Sequence, residues 1–389
     1  MELKDIKICI LYASIAPYGG NFMFMIRNFI HVMKNKYGIS FYFVIPPQEK
    51  KEWTVQLESS FSVAYIDSRS KDIVKQLIST FDNWGIDVAY SHHGAYDIPL
   101  SIASTRTKKK VKMIWHLHDY MSLDKTGLNF KFIRKVGTHL RMLRKYGWYG
   151  RKAYFIGVSS EVTNFVTHYR DHIFSFPKQL SNEDLQRRKY SRATVLLNGL
   201  DPRRFTEEYI YPSGTFTFLT YGGESYSKGI PCIFDAAESL YAKGYTFRIL
   251  ITRGYTTDKL LSERFGGVIP NWLKVTEPIE NIAHLFNQAH CYISASLKET
   301  MSMGIAEASV FGLPVIQSDI PGTWWNADTP SAFLFKLNDA NDLADKMIKV
   351  MDMPREEMRR LCSKSQEINK NRLSMEKWSN KLIEILNII

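Results

Sequence analysis

Cysteine is scarce: four residues, Cys9, Cys232, Cys291 and Cys362, are scattered over 389 positions with no paired spacing. That pattern suggests neither a disulfide framework nor a zinc site, and it fits a reducing cytoplasm. Long apolar runs are also missing, since none approaches the ~20 residues needed to span a bilayer. No segment is repeated or of low complexity. The opening "MELKDIKICILYAS" has an acid early and only a short apolar stretch, so it reads as a first strand rather than a signal peptide.

What is present is an ordinary globular composition, 45% hydrophobic, in a chain too long for a single core. Two domains are expected. The net charge of +12 is unevenly placed. Residues 106–152 hold 14 Lys/Arg against 2 Asp, and the remainder balances at 37 basic and 37 acidic. One segment therefore carries the whole excess.

Short β-rich runs alternate with helix-length segments. "KICILYA", "FYFVI", "SVAYI", "DVAYS", "VKMIWH", "AYFIGVS" and "TVLL" read as strands, with helices over Asn21–Lys36 and Lys71–Trp84. The rhythm restarts with "FTFLTY", "FRILIT", "LKVT", "CYISA", "PVIQS" and "AFLF". Such alternation predicts α/β units with parallel sheets covered on both faces. The break is expected in the turn-rich stretch 198–214. Residues 1–200 would form the first domain, with the basic segment 106–152, and 201–370 the second. Residues 371–389 would form a last helix packing back on the first. Ligands of open α/β sheets bind beyond the strand carboxyl ends, so a cleft between two facing domains is the expected site.

"LKETMSMGIAEASVFGLPVIQSD" sets Glu299 and Glu307 eight positions apart, the first after a strand and the second inside a helix. Amides near Thr300, Met301 and Ser302 would open that helix and suit a diphosphate. A carboxylate can grip a vicinal diol, and a solvated pair of acids is the plainer alternative. Taken with its neighbours, the stretch resembles the donor-site signature of retaining GT-B glycosyltransferases of family four (group 1). "VLLNGLDPRRF", "FLTYGGESYSKGI", "APYGGNFMFMIRNF", "IGVSSEVTNFV" and "IWHLHDY" are similar to further landmarks of that family, and all occur in its order.

The resemblance implies a GT-B architecture, two Rossmann-like doubly wound domains facing an interdomain cleft. It implies a metal-independent retaining hexosyltransferase using a nucleotide-diphosphate sugar, UDP- or GDP-linked, with no other cofactor. Glu307 would bind ribose and Glu299 the donor sugar near the reacting carbon. Lys228 would neutralise the leaving diphosphate. Gly19, Gly20, Gly222 and Gly223 would let backbone approach the donor. His118 would reach the sugar from the first domain, with His116 on the same strand face as its rival and His92 and His93 behind them. The absence of any Asp-x-Asp disfavours a design in which such a pair holds a metal. The family's usual arginine is replaced by Gly223, and Arg253 is a candidate to substitute for it.

In the basic segment, Phe132, Ile133, Val136, Leu140 and Leu143 fall on one helical face. Lys131, Arg134, Lys135, Arg141, Arg144 and Lys145 fall mainly on others, which suits an anionic membrane surface or a charged acceptor. No nucleic-acid motif accompanies the charge. The expected protein is a cytoplasmic enzyme, peripheral at the inner membrane face, that glycosylates a glycan or lipid-linked hydroxyl in cell-surface polysaccharide or glycolipid assembly. A non-catalytic GT-B subunit that binds a glycan or a partner protein, and a nucleotide-sugar epimerase, are the rivals.

Overall fold

The computed structural model describes residues 5–13, 20–119, 131–171, 180–201, 205, 207–221, 225–279 and 281–389. The chain divides into two compact units, Met1–Gly199 with Met375–Ile389, and Leu200–Ser374.

Unit 1 is built on β1 (Lys7–Tyr12), β2 (Ser40–Ile45), β3 (Ser62–Tyr65), β4 (Val88–His92), β5 (Lys112–Leu117), β6 (Tyr154–Gly157) and β7 (Ala193–Val195). They lie in the order β3-β2-β1-β4-β5-β6-β7, and every pairing is parallel. In unit 2, β8 (Thr217–Thr220), β9 (Arg248–Thr252), β10 (Leu273–Thr276), β11 (Cys291–Ser294), β12 (Val315–Ser318) and β13 (Ala332–Phe335) lie in the order β10-β9-β8-β11-β12-β13, again all parallel. Each expected strand is present. The order reverses beside β1 in unit 1 and beside β8 in unit 2, as in doubly wound nucleotide-binding folds.

Strand alternation explains why both faces are covered. Ile8, Ile10 and Tyr12 of β1 enter one core, and Cys9 and Leu11 enter another. In unit 2, Phe218 and Leu219 divide between two cores in the same way. A strand buried on both sides has no room for polar groups along its length, so its chemistry collects at its ends.

Helix Met375–Ile388 belongs to unit 1. Its stripe Met375, Trp378, Leu382, Ile385 and Leu386 joins the core of β1. The spacing of three and four keeps these side chains on one face. Trp378 meets Phe29 edge-on at 5.4 Å between ring centres. The expected boundary between residues 370 and 371 instead falls within helix Arg355–Arg372, whose Met358 and Cys362 are buried in the core of unit 2. Periodicity alone could not divide two consecutive helices between two cores.

Trp378→Ala is expected to destabilise the protein by ~3–5 kcal/mol, the usual cost of emptying a packed aromatic site. Urea unfolding should show the loss.

Candidate functional site

In unit 2 the polar groups gather where β8 and β11 end. Residues Tyr226–Lys228 make one tight turn, closed by Gly229 at φ 68°, before helix Ile230–Ala242 begins. Glycine is required there, because a Cβ would run into the Ala295 carbonyl. The turn is tied to the loop after β11 by Leu297 N–H donating to Ser227 O at 2.8 Å. That tie brings Lys228 Nζ to Glu299 Oε1 at 2.6 Å, and Ser296 Oγ donates to the same oxygen at 2.9 Å. The Glu299 side chain is 11% exposed and that of Lys228 38%. The Glu299 backbone is crowded by the next loop, where any side chain at Gly322 would strike its carbonyl.

Thr300, Met301 and Ser302 lead into helix Met303–Phe311, with Ser302 as the extended N-cap residue; Met301 and Ser302 are buried. The amides of a first helical turn lack intrahelical partners and carry partial positive charge. Glu307 lies on the second turn and is buried. Its Oε2 accepts a hydrogen bond from Tyr221 Oη, at the end of β8. Tyr292 of β11 packs against Tyr221 with ring centres 5.1 Å apart. Burial, then the Glu307 and Glu299 carboxylates, push the Tyr292 phenol well up. Both acids therefore act on one tyrosine, and Lys228, Glu299 and Glu307 share one end of the sheet.

Tyr221, Tyr292 and Ser296 were missed in the sequence. Tyr221 sits inside the quoted "FLTYGGESYSKGI", where its place as the last residue of the strand run was the only available signal. Arg253, the candidate to replace the missing arginine, is engaged in the free protein. Its guanidinium is taken by Asp258 at 2.7 Å and Glu277 at 2.8 Å. Gly20 opens helix Gly20–Tyr37. Gly19, Gly222 and Gly223 lie outside the described residues. A separate hollow of about 650 Å³ runs along Val310–Gly312, Tyr209 and Arg355 at the far end of helix Met303–Phe311, away from these acids.

In unit 1 the corresponding strand ends carry histidine. The β4–β5 register sets His92 opposite His116, and His118 follows two residues on. All three are buried, while the His93 side chain is a third exposed. His92 Nδ1 lies 3.1 Å from His118 Nε2, and His116 Nδ1 lies 2.7 Å from Tyr90 Oη. Among the described residues, His92, His116 and His118 form the group with the geometry to hold a metal ion. Burial, then neighbouring histidines, hold His92 and His118 far below the ordinary imidazole range, and burial takes His116 to about 3.

The basic segment forms helix Lys131–Met142, a wider π turn over Leu143–Trp148 and a short 3-10 turn over Tyr149–Lys152. The side chains of Lys131, Arg134 and Lys135 lie outside the described part. Arg141 and Arg144 are exposed. Lys145 is not part of a surface patch: it turns inward to Asp97 at 3.0 Å and to the Gly94 carbonyl at 3.1 Å. Burial pulls its amine down, but Asp97 and Tyr146 more than reverse that and leave it raised. Leu140, on the apolar face expected from the sequence, is 58% exposed, and Trp148 is 79% exposed. His139, Met142 and Tyr146 take the buried face instead, packing toward Tyr169, Trp115 and Phe155.

Two all-parallel, doubly wound units are the fold found in GT-B glycosyltransferases. Residues 215–353, within unit 2, match the family described as Glycosyl transferases group 1. Solved structures agree over the full length of the fold. A glycosyltransferase from Rickettsia africae is 15% identical at a TM-score of 0.73, covering 98% of this chain and 97% of its own. Anabaena HepE in complex with UDP-glucose is 15% identical at 0.74, covering 99% and 100%. WaaG, a glycosyltransferase involved in lipopolysaccharide biosynthesis, is 13% identical at 0.65, covering 96% and 99%. No curated protein matches by sequence.

The buried histidines fix a pH dependence. The unfolded chain protonates them near 6.5, whereas the folded chain resists until far lower pH, so their contribution to stability is full above about 6.5 and is lost as pH falls. The urea midpoint should drop between pH 7 and pH 4.5, and the drop should be shallower in His116→Gln.

Proposed function

We propose that the protein transfers a sugar from a nucleotide-diphosphate donor to a hydroxyl of a glycan or lipid-linked acceptor, with retention of anomeric configuration. The observation that carries this reading is the Lys228–Glu299 pair beside the buried Glu307, at the reversal of strand order in a unit that matches Glycosyl transferases group 1. Unit 2 would hold the donor and unit 1 the acceptor. Glu307, with one oxygen held by Tyr221, would grip the ribose diol. The amides from Thr300 to Met303, with Lys228, would meet the diphosphate, a preorganised electrostatic site that needs no metal.

In the free protein Lys228 is bound to Glu299. A donor would draw the ammonium to its diphosphate and leave the Glu299 carboxylate for the sugar. As the bond from the anomeric carbon to the diphosphate oxygen breaks, positive charge grows on the sugar ring. The acceptor oxygen then bonds to that carbon on the same face and passes its proton to the departing diphosphate. We also assign His118 a contact with the reacting sugar. UDP or GDP would be the leaving group; HepE has been solved with UDP-glucose.

One observation favours a second reading, a non-catalytic GT-B subunit. Gly223 stands where the family usually has an arginine, and Arg253 is committed to two acids. A panel of nucleotide sugars scored by melting temperature should reveal one donor that stabilises the fold, because a bound ligand shifts unfolding by mass action. With that donor, Glu299→Ala should retain binding and lose transfer. Lys228→Ala should weaken binding ~10-fold or more, the worth of a charged hydrogen bond. Full transfer by Glu299→Ala would overturn the catalytic reading. Absence of both transfer and slow donor hydrolysis in the wild type would favour the subunit.

We further propose that the exposed Leu140 and Trp148, with Arg141 and Arg144 between them, dock on an anionic membrane at the inner leaflet, as a step in polysaccharide or glycolipid assembly. No described helix is long and apolar enough to cross a membrane. Exposed aromatic and aliphatic anchors interleaved with arginine suit the interface, at ~1 kcal/mol per basic residue near the surface. Sedimentation with phosphatidylglycerol vesicles should fall at least fivefold in a Leu140→Ser, Trp148→Ser double variant, and neutral vesicles should not bind the wild type. Equal binding of the wild type and the double variant would exclude this surface.

A further inference from the structure

The histidine cluster of unit 1 is larger than a single sugar contact needs. His92, at the end of β4, faces His116 of β5 across the register, and His118 follows on the same side. One nitrogen from each of the three rings lies within 4.8 Å of the others, and His92 Nδ1 and His118 Nε2 are already 3.1 Å apart. His116 presents a further clue. Its Nδ1 is engaged by Tyr90 Oη, while its Nε2 is buried with no hydrogen-bond partner among the described residues. Leaving a buried polar nitrogen unmet costs ~1–3 kcal/mol, so a structure that keeps one has a use for it or a ligand to relieve it.

We propose that His92, His116 and His118 form a binding site for a divalent transition-metal cation of the zinc type. Zinc binds imidazole nitrogen at ~2.0–2.1 Å, which sets neighbouring tetrahedral ligands ~3.3 Å apart. The His92–His118 pair is at that spacing, and the third nitrogen comes in by a shift of ~1–1.5 Å, within reach of small side-chain rotations. Tyr90 fills the outer shell. If its oxygen accepts from His116 Nδ1–H, the Nε2 lone pair is left for the cation, which is the usual way a neighbouring group fixes the tautomer of a ligating histidine. The hydrogen bond between His92 and His118 holds one proton between two nitrogens. On binding, that proton moves to the other nitrogen of its own ring, so the neutral imidazoles bind without net change in their protonation.

The donor set selects the cation. Three neutral imidazoles, with neither carboxylate nor thiolate, suit Zn²⁺, Ni²⁺, Cu²⁺ or Co²⁺ and not Mg²⁺ or Ca²⁺. Three protein ligands leave a coordination position for water, and His93, stacked on His118 at 4.5 Å, is partly open to solvent beside the cluster. The lack of Asp-x-Asp bears on a diphosphate-bound metal and leaves this site untouched.

The test uses the tag-free full chain after chelator treatment. Titration with Co²⁺ should give a visible d–d absorption band that saturates at one equivalent, is displaced by Zn²⁺ and is indifferent to Mg²⁺. Stoichiometric Zn²⁺ should raise the melting temperature. Tyr90→Phe, a mild change, should weaken Co²⁺ binding ~10–100-fold, as loss of an outer-shell partner does. His116→Gln should abolish the band, with folding checked by circular dichroism. No band and no melting shift in the wild type would overturn the proposal. So would a band that persists in a folded His116→Gln, or one that Mg²⁺ reproduces.

Discussion

Both sheets are wholly parallel among the described strands, and both faces of each are buried. That arrangement leaves nowhere along a strand for a charged or titratable group to meet a ligand. Chemistry is pushed to the carboxyl ends, and most of all to the place where strand order reverses. In unit 2 this end collects an ammonium, two carboxylates and a helix N-terminus. In unit 1 it collects imidazoles. The two ends differ in charge: one carries an ammonium and two carboxylates, the other neutral imidazoles.

The unit 2 site is held by backbone as much as by side chains. A left-handed glycine at 229 lets the lysine turn lie against the Ala295 carbonyl, and a main-chain hydrogen bond fastens it to the loop of Glu299. Lysine and glutamate therefore meet without a large entropic cost at the moment of ion pairing, since the loops are already fixed. Glu307 is treated differently. It is buried and keeps its orientation through Tyr221, so it is less exposed to water than the Lys228 ammonium.

Strands were readable because β-branched and aromatic runs bounded by turns carry their own signal. All thirteen runs named from the sequence became strands. The site was legible where residues are close in sequence, as with Glu299 and Glu307. It was less so where the fold supplies the neighbour. Tyr221 lies 86 positions from Glu307, and His92 pairs with His116 only because β4 sits beside β5, an adjacency no single sequence states. The buried side of the basic helix was not legible for another reason. The helix runs into a π turn, and its inward residues join Tyr169, Phe155 and Trp115, which come from remote parts of the chain. Lys145 looked like surface charge because its partner, Asp97, is remote in sequence.

The return of the chain to unit 1 has a consequence for how the molecule is made. Unit 2 is one uninterrupted stretch, but the core around β1 is incomplete until Trp378 and Leu382 arrive. A ribosome ordinarily delivers the amino-terminal domain first. Here the amino-terminal sheet emerges early and waits with one apolar face only partly covered, while the later-made unit can close on its own. The newborn chain thus keeps the apolar patch meant for Trp378 and Leu382 open for most of its synthesis, and chaperone demand should fall on the half that appears first.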